Sequence, residues 1–194
     1  MIEATPTAAN PIALKEWSSV CAAIRTGRQV LLFRTGGISE ETDGFHLQYP
    51  EFWLFPTRFH EADVLIDPNA VAQFRCESID HQSEIPIQDY CRVERIFFVD
   101  DLQLLTKLSR WHILAESVIE SRFQYRNPGL YVLILRAYRR IEATMVPRKA
   151  EYDGCKSWVE LEHALPVDQL GAVITNEVFD QMVADIESVL LVHQ

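Results

Sequence analysis

The chain has 194 residues, about the length of one domain, and 48% of them are hydrophobic, with ten Phe, six Tyr and four Trp. That much apolar material in a non-repetitive sequence excludes disorder, and a domain of this size buries roughly 70% of its unfolded surface. No apolar run approaches the ~18 residues that cross a bilayer, and the net charge of −10, from 18 basic and 28 acidic residues, excludes a uniformly basic polyanion binder.

The first residues, 1–10, carry Glu3 and no basic residue, so they lack the layout of a secretory signal, and the expected location is cytoplasmic. Asn10-Pro11 reads as a helix opening, and Leu14, Trp17, Cys21 and Ile24 recur at helical spacing up to Gly27, which predicts an amphipathic amino-terminal helix. Residues 29–33 read as a buried strand closed by Gly36-Gly37. Phe45, Leu47 and Tyr49 alternate as a strand that continues, after Pro50, into 52–55, so a hairpin is expected over 28–55.

Asp67-Pro68 marks a helix start or a turn, and 71–79 is ambiguous between states. Residues 93–99 form a clear strand, with Asp100 and Asp101 as caps for a helix through Leu102, Leu105 and Leu108. A further helix is expected over 113–123. Asn127-Pro128-Gly129 breaks the chain before the strongest central strand, 130–138. The closing helix, about 176–190 with Thr175 or Asn176 as cap, places Phe179, Met182, Val183, Ile186 and Leu190 on one docking face.

With no linker, repeat or regular β-α-β alternation, residues 1–194 read as a single α+β domain: a mixed or mostly antiparallel sheet flanked by helices, amphipathic at both ends. Cys21, Cys76, Cys91 and Cys155 are scattered without a Cys-x-x-Cys pair and read as reduced thiols; no metal site is predicted and no cofactor is assigned.

Phosphate-cradling glycine loops, His-Glu-x-x-His and Gly-x-Ser-x-Gly are all missing, which removes standard nucleotide-binding folds, zincins and ordinary serine hydrolases. Three segments stay as candidates. Glu51 and His60 flank an apolar strand, where a carboxylate and an imidazole can share a proton or a metal; alternatively each is solvated at a strand end. Around Gly154, the residues Cys155, Lys156, Ser157 and Trp158 combine a point charge with a stacking surface for an anion, and Lys156 also favours a thiolate at Cys155; alternatively Trp158 is a core anchor. The third is the pair Trp111-His112 together with Arg136 and Tyr138 on the central strand; Arg34 ends the first strand and Arg136 lies in an apolar run. A buried guanidinium needs a carboxylate or a ligand, and Glu16 or Glu51 are candidate partners.

Charge is also segregated along the chain. Residues 107–149 hold nine basic and three acidic residues, including Arg139 and Arg140, while the remainder carries −16, so this window is a candidate anion-attracting face.

The segments Ala13-Leu14-Lys15-Glu16-Trp17, Val30-Leu31-Leu32-Phe33-Arg34-Thr35-Gly36-Gly37, Glu51-Phe52-Trp53-Leu54-Phe55-Pro56-Thr57 with His60, His112, Pro128-Gly129-Leu130-Tyr131-Val132-Leu133 with Arg136 and Tyr138, and Gly154-Cys155-Lys156-Ser157-Trp158-Val159 resemble a bacterial family catalogued as domain of unknown function 1802, over about 13–161. The family has no established activity to carry over. What the resemblance implies is an occasional association with restriction-endonuclease-type domains, hence with nucleic-acid defence. Where the family more often carries His-Gln, this chain has His60-Glu61.

Three functional expectations follow. The first is an accessory module binding nucleic acid or a phosphorylated ligand through 107–149, Lys156 and Trp158. The second is a nuclease-like hydrolase, metal-dependent or acid/base, using Glu51 and His60 with Arg34, Arg136 or Lys156 stabilising negative charge. The third is a structural interaction subunit that docks, as a homodimer or on a partner, through the carboxy-terminal helix.

Overall fold

The computed structural model describes residues 8–35, 47–57, 67–74, 82–154 and 156–191, the side chains of residues 69 and 71 excepted. The chain opens not with a helix but with a strand, β1 (Ala9–Trp17), followed directly by a short helix, α1 (Ser18–Arg25). The Asn10 side chain does what an N-cap does, since its Oδ1 accepts the Ile12 N–H at 2.8 Å. The turn that results is a bulge between Asn10 and Ile12, because both edges of β1 are taken by other strands and the backbone stays extended. Asn10 Nδ2 then donates to the Glu51 carbonyl at 3.0 Å, and the Trp53 indole donates to the Asn10 carbonyl at 3.0 Å, which pins the bulge to the neighbouring strand. The helical spacing of Leu14, Trp17, Cys21 and Ile24 is thus a coincidence across a strand-helix junction. α1 ends where Gly27, at φ +74°, turns the chain into the left-handed region.

The expected hairpin over 28–55 is not formed. β2 (Leu31–Arg34) pairs with β5 (Leu130–Pro147), and β3 (Glu51–Thr57) lies between β1, to which it is parallel, and β4 (Glu84–Val99). Residues 47–50 are not strand, and Phe45, Gly36 and Gly37 lie outside the described residues. The two long strands β4 and β5 extend the predicted 93–99 and 130–138 strands on both sides of a shared ladder that is broken by bulges at Ile87/Asp89 and Val93/Arg95. β6 (Trp158–Pro166) pairs with β1 and the short β7 (Gly171–Ala172) pairs with β5, so the described residues form a seven-stranded mixed sheet in the order β2-β5-β4-β3-β1-β6 with β7 off this path. The fold is α+β in a single domain, as the composition of elements predicts.

Alternation along the inner strands divides the apolar residues between two cores. Leu14, Phe52 and Leu54 face the larger one, which also takes Val20 and Ile24 of α1, Phe74 of α2 (Pro68–Phe74), Leu104 and Leu105 of α3 (Leu102–Thr106), Val118 and Ile119 of α4 (Glu116–Phe123), and Phe179, Ile186 and Leu190 of α5 (Asn176–Leu191). Ala13, Trp53 and Phe55 face the smaller one with Ile85, Ile87, Val146, Tyr152, Val159 and Leu161. Among the described residues no α-helix contributes to that second core; Tyr152 reaches it from a single 3-10 turn, Ala150–Tyr152.

The helix expected over 113–123 begins only at Glu116, and Asp101 caps α3 by accepting the Gln103 N–H at 2.8 Å. In α5 the Thr175 hydroxyl accepts the Val178 N–H, and the apolar face read from the sequence is packed on the chain's own core. Among the described residues no helix is long and apolar enough to cross a membrane.

Candidate functional site

β1 and β3 run parallel, so their carboxyl ends arrive side by side at one end of the sheet. There, Lys15, Glu16 and Trp17 of β1, and Phe55, Pro56 and Thr57 of β3, meet Arg34 at the end of β2 and Arg122 from the last turn of α4. The connection between β5 and β6 closes the far wall with Arg148, Tyr152, Asp153, Gly154, Lys156 and Ser157. The result is a cleft of about 410 Å³, within the size range of small-ligand pockets.

Five of the described lining residues are basic and two are acidic, a net charge of +3, so the rest of a chain that totals −10 carries −13. In the cleft one carboxylate pairs with one guanidinium and acts electrostatically on a second. Glu16 is buried, with Oε1 accepting the Trp17 N–H at 2.9 Å and Oε2 standing 3.6 Å from Arg34 Nη2. That distance holds an ion pair but not a hydrogen bond, and Arg34 Nε and Nη2 are buried with no hydrogen-bond partner among the described residues. Arg122 donates from Nη1 to the Phe33 carbonyl at 3.2 Å and lies over the Trp17 ring at 4.9 Å. Burial pulls its pKa below the usual guanidinium range; Glu16 opposes that pull and the positive charge of Arg34 adds to it.

The rim is more loosely made. Lys15 Nζ donates to the Gly154 carbonyl at 2.9 Å, and the Lys15 N–H to the Ser157 carbonyl at 2.8 Å, so β1 holds the wall in place. Arg148 donates to the Gln82 carbonyl and lies 3.8 Å from Asp153, and Lys156 is exposed.

Of the residues singled out from the sequence, Glu16, Arg34 and Lys156 come together here. Glu51 does not: it sits at the opposite end of β3, about 20 Å along a seven-residue strand, where it accepts the Tyr90 hydroxyl at 3.0 Å. His60 and Cys155 lie outside the described residues. Trp158 packs edge-on against Tyr49 and Phe52, with its indole nitrogen buried and without an acceptor among the described residues.

Arg136 finds neither Glu16 nor Glu51. It donates to Asn176 Oδ1 at 2.7 Å and to the Thr175 carbonyl at 3.4 Å, under the Phe179 ring, and so anchors the start of α5. His112 lines a separate cavity of about 180 Å³ with Asp67, Ser109 and Glu116. Its Nδ1 accepts the Leu114 N–H at 3.1 Å, and burial, helped by the charge of Arg28, lowers its pKa to about 4, so the ring is neutral.

The 107–149 window is not one face. Arg110 pairs with Asp185, Lys149 with Glu162, and Arg136 is buried, while Arg139 lies in a recess with Gln88 and Ile141, and Arg140 is partly buried on β5. Only Arg122 and Arg148 of that window reach the cleft. Of the other walls, Trp17 comes from the 13–17 segment that carries the resemblance, and Tyr152 and Asp153 directly precede Gly154 in the segment singled out from the sequence.

Among the described residues no group of three His, Cys, Asp or Glu could hold a metal ion. The fold and the cleft together define an α+β domain with a basic pocket at the open end of parallel strands. The chain belongs to the family described as Domain of unknown function (DUF1802), whose pattern matches residues 13–185 and so extends beyond the 13–161 resemblance into α5.

No curated protein matches the sequence. Solved structures of ASCH from Zymomonas mobilis are similar in outline. The ASCH structure itself gives a TM-score of 0.44 at 13% identity, covering 89% of this chain and 93% of that one. A serine-to-alanine mutant gives 0.47 at 11% identity, covering 91% and 98%. A tyrosine-to-phenylalanine mutant gives 0.45 at 14%, covering 89% and 96%.

Proposed function

We propose that this protein is a binding module for a phosphate-bearing ligand, a nucleotide or nucleic-acid strand, which it holds in the cleft between β1, β3 and the β5–β6 connection. One observation carries the reading. Among the described residues, Arg34 and Arg122 are drawn into the cleft around a single carboxylate, leaving two Arg34 donors without an acceptor. A buried cation that lacks its counter-charge costs several kcal/mol unless something else supplies that charge. Phosphate oxygens fit this requirement, because guanidinium forks meet them with paired charge-assisted hydrogen bonds. Lys15, Arg148 and Lys156 at the rim then steer an anion inward on a molecule whose remaining charge repels it.

The hydrolase reading built on Glu51 gains no support from this arrangement, since Glu51 is a strand's length from the cationic cleft. The test is thermal denaturation and titration calorimetry of the intact chain with inorganic phosphate, mononucleotides and short single-stranded oligonucleotides. A phosphate-bearing member of that set raises Tm, and its affinity falls as salt rises. Absence of any stabilisation or heat across the set ends the proposal.

A further inference from the structure

The same cleft also discriminates between kinds of phosphate. We infer that its preferred ligand is a compact phosphomonoester, such as a nucleotide or a very short strand ending in a phosphate, rather than the internal phosphodiesters of a long nucleic acid. The inference rests on the reading of the cleft as a phosphate site and adds to it the charge state and size of the ligand.

The charge argument begins with the two guanidiniums. Arg34 and Arg122 contribute two positive charges, Glu16 returns one, and both partners of the Arg34–Glu16 pair are largely withdrawn from water, at 18% and 7% exposure. In such surroundings each ligand charge counts for more than it does in bulk water. A monoester brings −1.5 to −2 near neutral pH, by its second ionisation near 6, whereas an internal diester brings a single negative charge.

The molecule itself shows how these donors are used when they are satisfied. At Arg25, Nε and Nη2 grip both oxygens of Asp89 at 3.0, 3.1 and 2.7 Å. Among the described residues the same pair of nitrogens on Arg34 has only Glu16 Oε2, at 3.6 Å from Nη2. An arriving oxyanion with three terminal oxygens completes a set that one carboxylate leaves open.

The size argument comes from what surrounds the cleft. A volume of about 410 Å³ accommodates a nucleotide-sized compound. A longer strand leaving it meets Asp153 on the rim and then the rest of a chain that carries −13, including Glu116 and Glu120 on α4 and Glu151 and Glu162 around Lys149. Repulsion over one Debye length, ~8 Å at physiological salt, acts against every additional phosphate.

The experiment is calorimetric titration of the intact chain at neutral pH with three probes: a 5′-phosphorylated dinucleotide, the same dinucleotide without its terminal phosphate, and a long unphosphorylated single strand. The phosphorylated dinucleotide is expected to bind at least about tenfold more tightly than its unphosphorylated twin, the ratio that ~1.4 kcal/mol produces, and the long strand no better than the twin. Arg34→Met collapses the difference and Arg34→Lys keeps part of it. Equal affinity for the two dinucleotides, or tighter binding of the long strand, overturns the inference while leaving the cleft as a phosphate site. Binding of none of the three overturns both. The comparison among probes uses the unaltered chain, so it stands even where a variant fails to fold.

Discussion

Replacing Arg34 by Met separates binding from stability in a way that few substitutions in this molecule can. In the free protein Arg34 contributes little to the fold: its contact with Glu16 is 3.6 Å long, and Nε and Nη2 are buried without acceptors among the described residues. Each orphaned donor carries a desolvation cost of about 1–3 kcal/mol, which a flexible apolar side chain of similar reach abolishes. Glu16 keeps the Trp17 N–H and the field of Arg122. Unfolding in urea should therefore show a change within about 1 kcal/mol, equivalent to ~2–4 °C in Tm for a chain of this size.

Affinity for the phosphate ligand should fall much more, because a lost charge-assisted bond of about 1.5–3 kcal/mol raises Kd roughly 10- to 150-fold. Arg25→Met is the control. It removes the bidentate partner of Asp89, whose side chain is 3% exposed, and so should cost about 3–5 kcal/mol of stability with no direct effect on the cleft. If Arg34→Met proves as destabilising as Arg25→Met while ligand affinity stays unchanged, the view of Arg34 as a site residue held at the expense of the fold is wrong.

Three further outcomes are expected. His112 has a folded pKa of about 4 against an ordinary 6.5; the unfolded chain therefore takes up the proton first, so its contribution is full above pH 6.5 and is lost as pH falls toward 4, about 3 kcal/mol in all. Urea unfolding across that window shows the slope, and His112→Gln removes it. Arg136→Met loses the donors to Asn176 and the Thr175 carbonyl that start α5, lowering stability by about 2–4 kcal/mol and leaving ligand affinity as it was; a loss of affinity without a loss of stability would return Arg136 to the site. Gly129 stands at φ +134° with the Phe98 ring where a Cβ would go, so Gly129→Ala should cost at least about 1–3 kcal/mol, read as a lower Tm with ligand stoichiometry unchanged.

The elements that were legible in the sequence are those whose signal is local. α5 is announced by a Thr cap and a five-residue apolar stripe, α3 by Asp101, and the strand cores at 93–99 and 130–138 by their apolar runs. β1 was hidden because Leu14 and Trp17 belong to a strand and Cys21 and Ile24 to a helix, and nothing within those residues tells a chain that β3 and β6 will occupy both its edges. The hairpin over 28–55 failed for the same reason: two adjacent apolar runs predict strands, but partner choice was made by β5 and β1, far away in order.

The cleft follows that division. Glu16, Arg34 and Lys156 could be named from their types and settings, and Arg122 and Arg148 lay unremarked in a basic window of which Arg110, Arg136 and Lys149 are tied off elsewhere. Composition, length and local pattern by themselves determined a folded α+β domain and its helices α3 and α5, and the resemblance of particular segments its family, because burial and capping act on near neighbours. Which strands pair, and hence which five cations face one another across the end of the sheet, was decided only by the tertiary structure. Hydrogen-bonded edges and Coulomb contacts depend on distances between residues more than a hundred positions apart, such as Lys15 and Gly154, and no local rule fixes those distances.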